Sequence, residues 1–171
     1  MNYILETTRL SLREFVHGDA DFIIELMNTP GWVDNIGDRN IHTKDDGVRY
    51  IENGPLKSYA QHGFGLYLVE KKEGGQAIGM CGILKRDNLE KPDIGFAFLP
   101  DFMGQGYAFE VAHATLAFAK EKLDIPVMQA ITLAKNSKSI KLLEKLGFNF
   151  KNVIHVSETN EDLLLFSNAS E

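Results

Sequence analysis

The chain has 171 residues, of which 44% are hydrophobic and 25% are charged, with a formal net charge of −6 and a single cysteine. This length allows one domain with a sizeable core, and one cysteine excludes an intrachain disulfide framework. The acidic balance argues against nucleic-acid binding, no apolar run approaches the roughly 20 residues of a membrane helix, and the five histidines form no helical metal-binding pair. We therefore expect a cytoplasmic protein, monomeric or homodimeric, with no metal, nucleic-acid or membrane partner.

Hydrophobic periodicity predicts the elements of the first half of the chain. Strict alternation predicts a strand at about 8–15. Asp19 then precedes the apolar face of a helix and can cap it. Thr43 and Asp46 have the spacing of a capping box, which predicts another helix. The stretch 29–41 between these helices is predicted to be a loop.

The second half of the chain predicts six further strands and two helices. The strands are expected at about 64–68, 77–84, 93–99, 127–133, 148–157 and 162–166. One helix is expected at 108–122, and the other begins after a cap at Asn136 or Ser137 and stops at Gly147. Together with the first half, this order predicts one α+β domain over 1–171. We expect its sheet to be mixed, largely antiparallel and seven-stranded, flanked by about four helices.

A glycine-rich segment, Gly104-Gln-Gly-Tyr-Ala108, lies between a predicted strand and a predicted helix. The first N–H groups of a helix lack intrahelical acceptors and carry partial positive charge, so this junction suits a pyrophosphate. A dinucleotide-binding fold would need a third glycine where Phe109 stands, and the Gly-Lys-Ser/Thr of a P-loop is absent. Coenzyme A remains as a ligand, beside the alternative that the glycines only shape a turn.

Five segments stand in an order that is typical of one protein family. They are Glu6-Thr-Thr-Arg-Leu-Ser-Leu-Arg13, Ile94-Gly-Phe-Ala-Phe98, Met103-Gly-Gln-Gly-Tyr-Ala108, Asn136-Ser-Lys-Ser139 and Leu142-Leu-Glu-Lys-Leu-Gly-Phe148. With these motifs the chain resembles the GNAT superfamily of N-acetyltransferases, and within it the branch of ribosomal-protein N-terminal (alanine/serine) acetyltransferases. The family's leading Gln or Arg is replaced here by Met103, a position thought to act chiefly through its backbone.

The resemblance covers about 6–166 and implies an activity. It implies direct transfer of an acetyl group from the cosubstrate acetyl-CoA to a primary amine in a ternary complex. The acceptor is a small-molecule amine or a peptide N-terminus, with the acceptor side at about 16–63 and the acetyl-CoA core at about 92–148. The implied coenzyme A contacts are Phe98, Met103, Gly104, Gln105, Gly106, Tyr107, Ala108, Asn136 and Ser139. The alternative is a catalytically inactive acetyl-CoA-binding or sensing module.

Acetyl transfer needs a neutral amine, whereas a lysine-like amine has a pKa of about 10.4. A general base meets this need, and Asp93 on the predicted fourth strand is the first candidate. Its alternative is a solvated carboxylate in the turn after Pro92. The resemblance implies that a backbone N–H near Phe98 stabilises the thioester oxygen. Because Leu143 replaces the tyrosine acid of many family members, Ser139 is the candidate acid, unless it only caps the helix and contacts coenzyme A.

The acceptor is expected to be a cationic amine, because the stretch 29–62 combines aromatic rings with carboxylates. The rings are Trp32, Tyr50 and Tyr59, and the acids are Asp34, Asp38, Asp45, Asp46 and Glu52. The alternative is that the rings pack the helices and the acids are solvated. Three other side chains are expected to play no chemical part: Cys81 as a buried thiol, Glu110 on an exposed helix face and His113 as a structural residue.

Overall fold

The computed structural model describes residues 1–170, and its core is one eight-stranded sheet in the order β1-β2-β3-β4-β5-β6-β8-β7. The strands are Tyr3–Glu6 (β1), Leu10–Arg13 (β2), Leu66–Lys71 (β3), Ala77–Leu84 (β4), Asp93–Phe98 (β5), Gln129–Thr132 (β6), Asn149–Val156 (β7) and Glu161–Ser167 (β8). All neighbours run antiparallel except β5 and β6, which are parallel. The predicted α+β class with a mixed, largely antiparallel sheet is therefore confirmed.

Helices flank both faces of the sheet. They are Ala20–Met27 (α1), Pro30–Asn35 (α2), Lys44–Ile51 (α3), Lys57–His62 (α4), Tyr107–Lys122 (α5) and Ser137–Lys145 (α6). A π-helical turn, Glu52–Leu56, joins α3 to α4 at Pro55, where a backbone N–H is missing. No helix within the described residues is long and apolar enough to span a membrane.

The sheet has an apolar core on each face because strand side chains alternate. On one face Cys81, Ile94 and Phe98 pack with Val111 and Ala112 of α5. The other core, formed with α1 and α3, is built from Leu68, Met80, Leu99, Ile23, Leu26 and Ile51. The helices α1–α3 therefore cover one face, and α5 covers the other.

Strands β5 and β6 separate at their C-terminal ends, and this separation positions the candidate site. Their only paired residues in the described chain are Asp93 and Gln129. On its other edge β5 pairs with β4 along its whole length, from Asp93 with Leu84 to Phe98 with Gly79. The sheet is thus closed at the start of β5 and open beyond it.

The structure corrects two sequence predictions. The sheet has eight strands and not seven, because the short edge strand β1 pairs only with β2 and has no alternating burial that could reveal it. The predicted loop 29–41 contains α2, whose N-cap Thr29 accepts a hydrogen bond from the backbone N–H of Trp32. Thr29 followed by Pro30 is a helix-start signal that the apolar periodicity did not reveal.

Candidate active site

The backbone at the start of α5 presents a row of free donors. The N–H groups of residues 104–109 donate to no acceptor within residues 1–170, whereas Met103 N–H donates to Pro100 O at 3.2 Å and Glu110 N–H to Gly106 O at 3.0 Å. Gly104 and Gly106 have φ of 74° and 81°, a left-handed conformation that glycine adopts without strain. These amides and the helix dipole make a cradle for an anion.

Arg9, in the turn between β1 and β2, braces this cradle. Its Nη2 donates to the carbonyl oxygen of Gln105 at 3.1 Å, and its guanidinium lies 4.2 Å from the ring centroid of Tyr107. Sequence reasoning gave Arg9 no role although it lies in the Thr-Thr-Arg-Leu motif. The Thr-Thr-Arg-Leu motif is the local signal that could have pointed to Arg9, but it does not indicate which residues Arg9 contacts.

Glu110 holds the other side of Arg9, so its predicted place on an exposed helix face is wrong. Its carboxylate accepts from Arg9 Nε at 2.8 Å and from the Thr7 hydroxyl at 2.6 Å. Burial alone would raise the pKa of Glu110, but the hydrogen bonds from Thr7 and Arg9 outweigh it and lower that pKa. The three side chains tie the start of α5 to the sheet.

A cavity of about 370 Å³ lies where β5 and β6 diverge. Its walls come from β5, β6, the start of α6 and the helices α1–α3, and they bring together Asp93, Asn136 and Ser139. Asp93 is far in the sequence from Asn136 and Ser139, and each of the three was predicted to belong to the site. From the acceptor side Trp32 and Tyr50 also line the cavity.

The backbone N–H and C=O of Phe98, and not its ring, lie on the side of β5 where the sheet is open. Leu99 N–H donates to Ile78 O at 2.9 Å, so the alternation of an antiparallel ladder directs the N–H and C=O of Phe98 away from β4 and toward β6. Among the described residues β6 pairs with β5 at Asp93 alone. The Phe98 ring is buried in the core under α5.

Asp93 is buried, and its interpretation as a solvated turn carboxylate is wrong. It is 1% exposed, and Arg86 Nε donates to both of its carboxylate oxygens at 3.1 Å. Burial raises the pKa of Asp93 to about 6, against the opposing charge of Arg86. A carboxylate with this pKa is mostly ionised at neutral pH and can accept a proton there.

Asn136 and Ser139 sit together at the start of α6. Asn136 Oδ1 accepts from Ser139 N–H at 3.2 Å, which identifies Asn136, and not Ser137, as the N-cap. The cap uses the backbone of Ser139, and the Ser139 hydroxyl makes no hydrogen bond to residues 1–170. One turn later Leu143 is buried on the same cavity wall. The hydroxyl of Ser139 is therefore available to a ligand.

The acids of the stretch 29–62 do not line the cavity. Asp46 completes the capping box of α3 with Thr43, Glu52 pairs with His17 at 3.1 Å and Asp38 lies 3.8 Å from His42. The charged residue that the acceptor side contributes to this wall, within residues 1–170, is instead Arg39, and Arg86 joins it from the β4–β5 turn. Asp38, Asp46 and Glu52 therefore follow the alternative given for the acids, because local caps and pairs bind them away from the cavity.

Tyr59 and Cys81, two other side chains considered from the sequence, are structural. The Tyr59 hydroxyl donates to Leu66 O, and its ring stacks on Tyr67 with centroids 5.4 Å apart. Cys81 is fully buried, and this burial raises the pKa of its thiol to about 12. His113 is exposed with its ring centroid 5.6 Å from that of Phe109. In residues 1–170 no group of three His, Cys, Asp or Glu could hold a metal ion.

Comparison with known proteins identifies the family. The family model for the acetyltransferase (GNAT) domain matches residues 9–149. The uncharacterized protein YkkB of Bacillus subtilis is 32% identical over 95 residues, a segment that spans 54% of this chain and 55% of YkkB. A GNAT-family acetyltransferase structure from Bordetella pertussis superposes with a TM-score of 0.81 at 21% identity, covering 99% of this chain and 100% of that one. RimL, a ribosomal L7/L12 α-N-protein acetyltransferase solved with coenzyme A, superposes with a TM-score of 0.83 at 14% identity over 97% of both chains. The chain belongs to the GNAT family of acetyltransferases.

Proposed function

We propose that this protein transfers the acetyl group of acetyl-CoA directly to a primary amine, with both substrates bound at once. The observation that carries the proposal is the cavity at the β5–β6 separation, whose walls include Asp93 of β5 and Ser139 of α6. The amide cradle of residues 104–109 follows β5 directly in the chain, and the β6 side of β5 is unpaired beyond Asp93. We infer that the cosubstrate binds along this edge and that the acceptor enters through the cavity.

The cradle is suited to the pyrophosphate of coenzyme A. Its free N–H groups and the positive end of α5 favour an anion with several acceptor oxygens. Nothing in the cradle requires a ribose-binding acid or a P-loop lysine. RimL, with the same fold, was solved with coenzyme A, which supports this choice of ligand.

The free edge of β5 is suited to the pantetheine arm. Extended amides can add to an open strand edge as another strand would, and the divergence of β6 leaves that edge unpaired beyond Asp93. The N–H of Phe98 can then donate to the thioester oxygen as it gains negative charge. Asn136, at the far wall, can contact the same arm.

Asp93 serves as the general base in this mechanism. It accepts the proton of the acceptor ammonium, directly or through a water, and the freed nitrogen attacks the thioester carbon. The C–N bond forms, the tetrahedral intermediate collapses and the C–S bond breaks. The Ser139 hydroxyl gives its proton to the departing thiolate and takes the second proton of the attacking nitrogen, so that a neutral amide and a neutral thiol result while Asp93 holds the first proton. This is a modest aid because a thiol of pKa near 8.5 leaves fairly well unassisted. We expect the activity in the cytoplasm, where a free thiol such as Cys81 stays reduced.

A thiol-release assay with a panel of amines tests the proposal. The purified protein is incubated with acetyl-CoA and each amine, free coenzyme A is detected by a thiol reagent, and the acetylated product is identified by mass spectrometry. We expect release that depends on an amine and yields an N-acetyl product. Tight acetyl-CoA binding by calorimetry without release for any amine would contradict transfer and indicate a binding module. Products acetylated only on hydroxyls or thiols would contradict the amine assignment.

A further inference from the structure

The charged side chains on the cavity wall do not suit a polycationic acceptor. Four charged residues line the cavity: Arg39, Arg86, Asp93 and Glu161. Two are cations and two are anions, and the charge of Asp93 is already paired with Arg86. An acceptor with several ammonium groups would find no surplus of negative charge here, whereas an acceptor with one positive and one negative group matches the wall.

Arg39 is the charged group without a partner at the acceptor end. It follows α2 in the chain and is exposed, and it makes no ion pair or hydrogen bond within residues 1–170. Its charge and that of Arg86 both act on Tyr50 in the same wall by lowering the pKa of its hydroxyl, although burial has the larger effect and raises that pKa. Arg39 and Arg86 therefore both lie near Tyr50 at this end of the cavity.

Trp32 adds a donor to the same wall. Its indole Nε1 is the one buried side-chain nitrogen or oxygen in the described part of the chain that has no hydrogen-bond partner. A buried donor without an acceptor is rare in a folded protein. Asn35, also on this wall, has its amide fixed by a hydrogen bond from Nδ2 to Gly31 O at 2.9 Å. The side chains that α2 presents to the cavity thus include an indole donor that lacks an acceptor.

We propose that Arg39 binds a carboxylate of the acceptor, so that the acceptor is an amine that also carries a carboxylate, such as an α-amino acid. The inference rests on the acetyl transfer proposed above. A guanidinium can hold a carboxylate with two parallel hydrogen bonds. One unpaired cation offsets one negative charge, which favours a carboxylate over a doubly charged phosphate. A cavity of about 370 Å³ has the size of a small-molecule site, so a free amino acid or the end of a short peptide fits it.

Matched acceptors test this site with acetyl-CoA and the thiol-release assay. L-Phenylalanine is compared with its amide and with phenethylamine, and L-methionine with its amide. A dipeptide such as alanyl-alanine is the further arm, because its carboxylate lies one residue farther from the amine. Since these amines differ in pKa, kcat/KM is expressed per unprotonated amine. We expect the kcat/KM of each amino acid to exceed that of its amide by about 10- to 100-fold. This is the effect expected from one hydrogen bond to a charged group.

Variants at Arg39 identify the group responsible. Arg39→Gln should raise KM for the amino acids by about 10- to 100-fold and leave kcat/KM for the amides within about two-fold. Arg39→Lys should restore part of the loss because it keeps the charge. Arg49→Gln is the matched control, an exposed arginine that pairs with Asp46 and lies off the cavity. Unchanged turnover of the amides shows in the same experiment that each variant is folded.

The outcomes separate this inference from the function on which it rests. No thiol release with any amine would contradict acetyl transfer itself. Equal use of amino acid and amide by the natural protein, or an equal loss for both in Arg39→Gln, would overturn the carboxylate site and leave the transferase assignment intact. A higher kcat/KM for the dipeptide than for the free amino acids, with the same dependence on Arg39, would support the carboxylate site. It would also indicate that the acceptor is the end of a peptide.

Discussion

Arg86 donates from Nε to both carboxylate oxygens of Asp93 at 3.1 Å, and yet the pKa of Asp93 lies near 6 and not below its ordinary value of 3.8. Arg86 is 40% exposed while Asp93 is 1% exposed. Solvent weakens the attraction of a half-exposed guanidinium, whereas burial acts on the carboxylate in full. The pair thus leaves Asp93 able to exchange a proton close to neutral pH.

Activity should therefore fall on the acid side with the titration of Asp93. Because the proposed base must be ionised, kcat/KM should rise with pH through an apparent pKa near 6 and then level off until the acceptor amine titrates. Asp93→Asn should lower kcat by about 100-fold or more and remove this acid limb. The measurement is a pH series of thiol release with one good acceptor.

The matched control for this series is Asp87→Asn, an exposed carboxylate in the turn between β4 and β5 that lies off the cavity. Asp87→Asn should keep both the natural rate and the acid limb of the pH profile. An unchanged profile between pH 5 and about pH 8 in Asp93→Asn would remove Asp93 from the base role.

The same carboxylate should make stability depend on pH. The folded-state pKa of about 6 exceeds the ordinary value of 3.8, so the folded protein holds this proton more tightly than the unfolded chain. The free energy of unfolding should therefore fall as pH rises from about 4 to about 6, by at most roughly 3 kcal/mol at about 1.36 kcal/mol per pKa unit. Asp93→Asn, which stays neutral, should not show this loss.

Urea denaturation of both proteins across this range checks the sign. Other carboxyl groups also make stability depend on pH. Asp46, whose pKa is lowered to about 2 by hydrogen bonds from Thr43 and His42, stabilises the fold above about pH 4 and loses that contribution as pH falls toward 2. The difference between natural protein and variant cancels these common contributions. The variant should gain relative stability as pH rises, and a difference that is constant from pH 4 to about pH 7 would contradict the raised pKa.

Sequence patterns revealed the parts of the site that depend on near neighbours. Gly104 and Gly106 indicate a turn before a helix, and Asn136 caps a helix three residues before Ser139. Each of these signals lies within a few residues of the feature that it predicts. The brace between Arg9 and Glu110 joins positions 101 residues apart. Neither the burial of Asp93 nor the lack of a partner for Arg39 follows from its neighbours, because both depend on how distant helices cover the sheet.

The acceptor-side acids show a second limit. A carboxylate such as Asp46 can cap a helix, pair with a cation or bind a ligand, and composition does not decide among these roles. In the structure local hydrogen bonds satisfy Asp46. The argument for carboxylates around the acceptor counted such acids as free, whereas the acceptor-side charge on the cavity wall within residues 1–170 is that of Arg39.

The brace should matter for coenzyme A affinity and not for chemistry. Arg9→Met removes the hydrogen bond to Gln105 O and the ion pair with Glu110 while keeping an unbranched side chain. We expect KM for acetyl-CoA to rise by about 5- to 10-fold, with kcat at saturation nearly unchanged. Glu110→Gln should have a smaller effect of the same kind, and the double variant should lose less than the product of the single losses. Equal falls in kcat and kcat/KM would contradict a positioning role.

Gly106 should be needed for the anion cradle. Its φ of 81° strains any other residue, and an added Cβ would lie 3.4 Å from Arg9 Nη2. Gly106→Val should therefore lower the affinity for coenzyme A by more than about 10-fold, measured by calorimetry. Gly74→Val is the matched control, because Gly74 has a φ of 85° with open space around it in the β3–β4 turn. It imposes similar backbone strain away from the cradle, so equal losses of affinity in the two variants would contradict the assignment.

Ser139 should assist the departure of the thiolate. Its hydroxyl is free of protein partners and lines the cavity, while the cap of α6 uses only its backbone N–H. Ser139→Ala should therefore leave α6 intact, lower kcat by about 10-fold and change coenzyme A affinity by only a few-fold. Ser137→Ala, at an exposed position off the cavity at the start of the same helix, should keep the natural rate.

Because a thiol of lower pKa needs less protonation to leave, the loss of kcat in Ser139→Ala should shrink when the acetyl group is presented on a more acidic thiol. Natural turnover in Ser139→Ala would contradict the proposed role of the hydroxyl and leave Ser139 only its part in the helix cap.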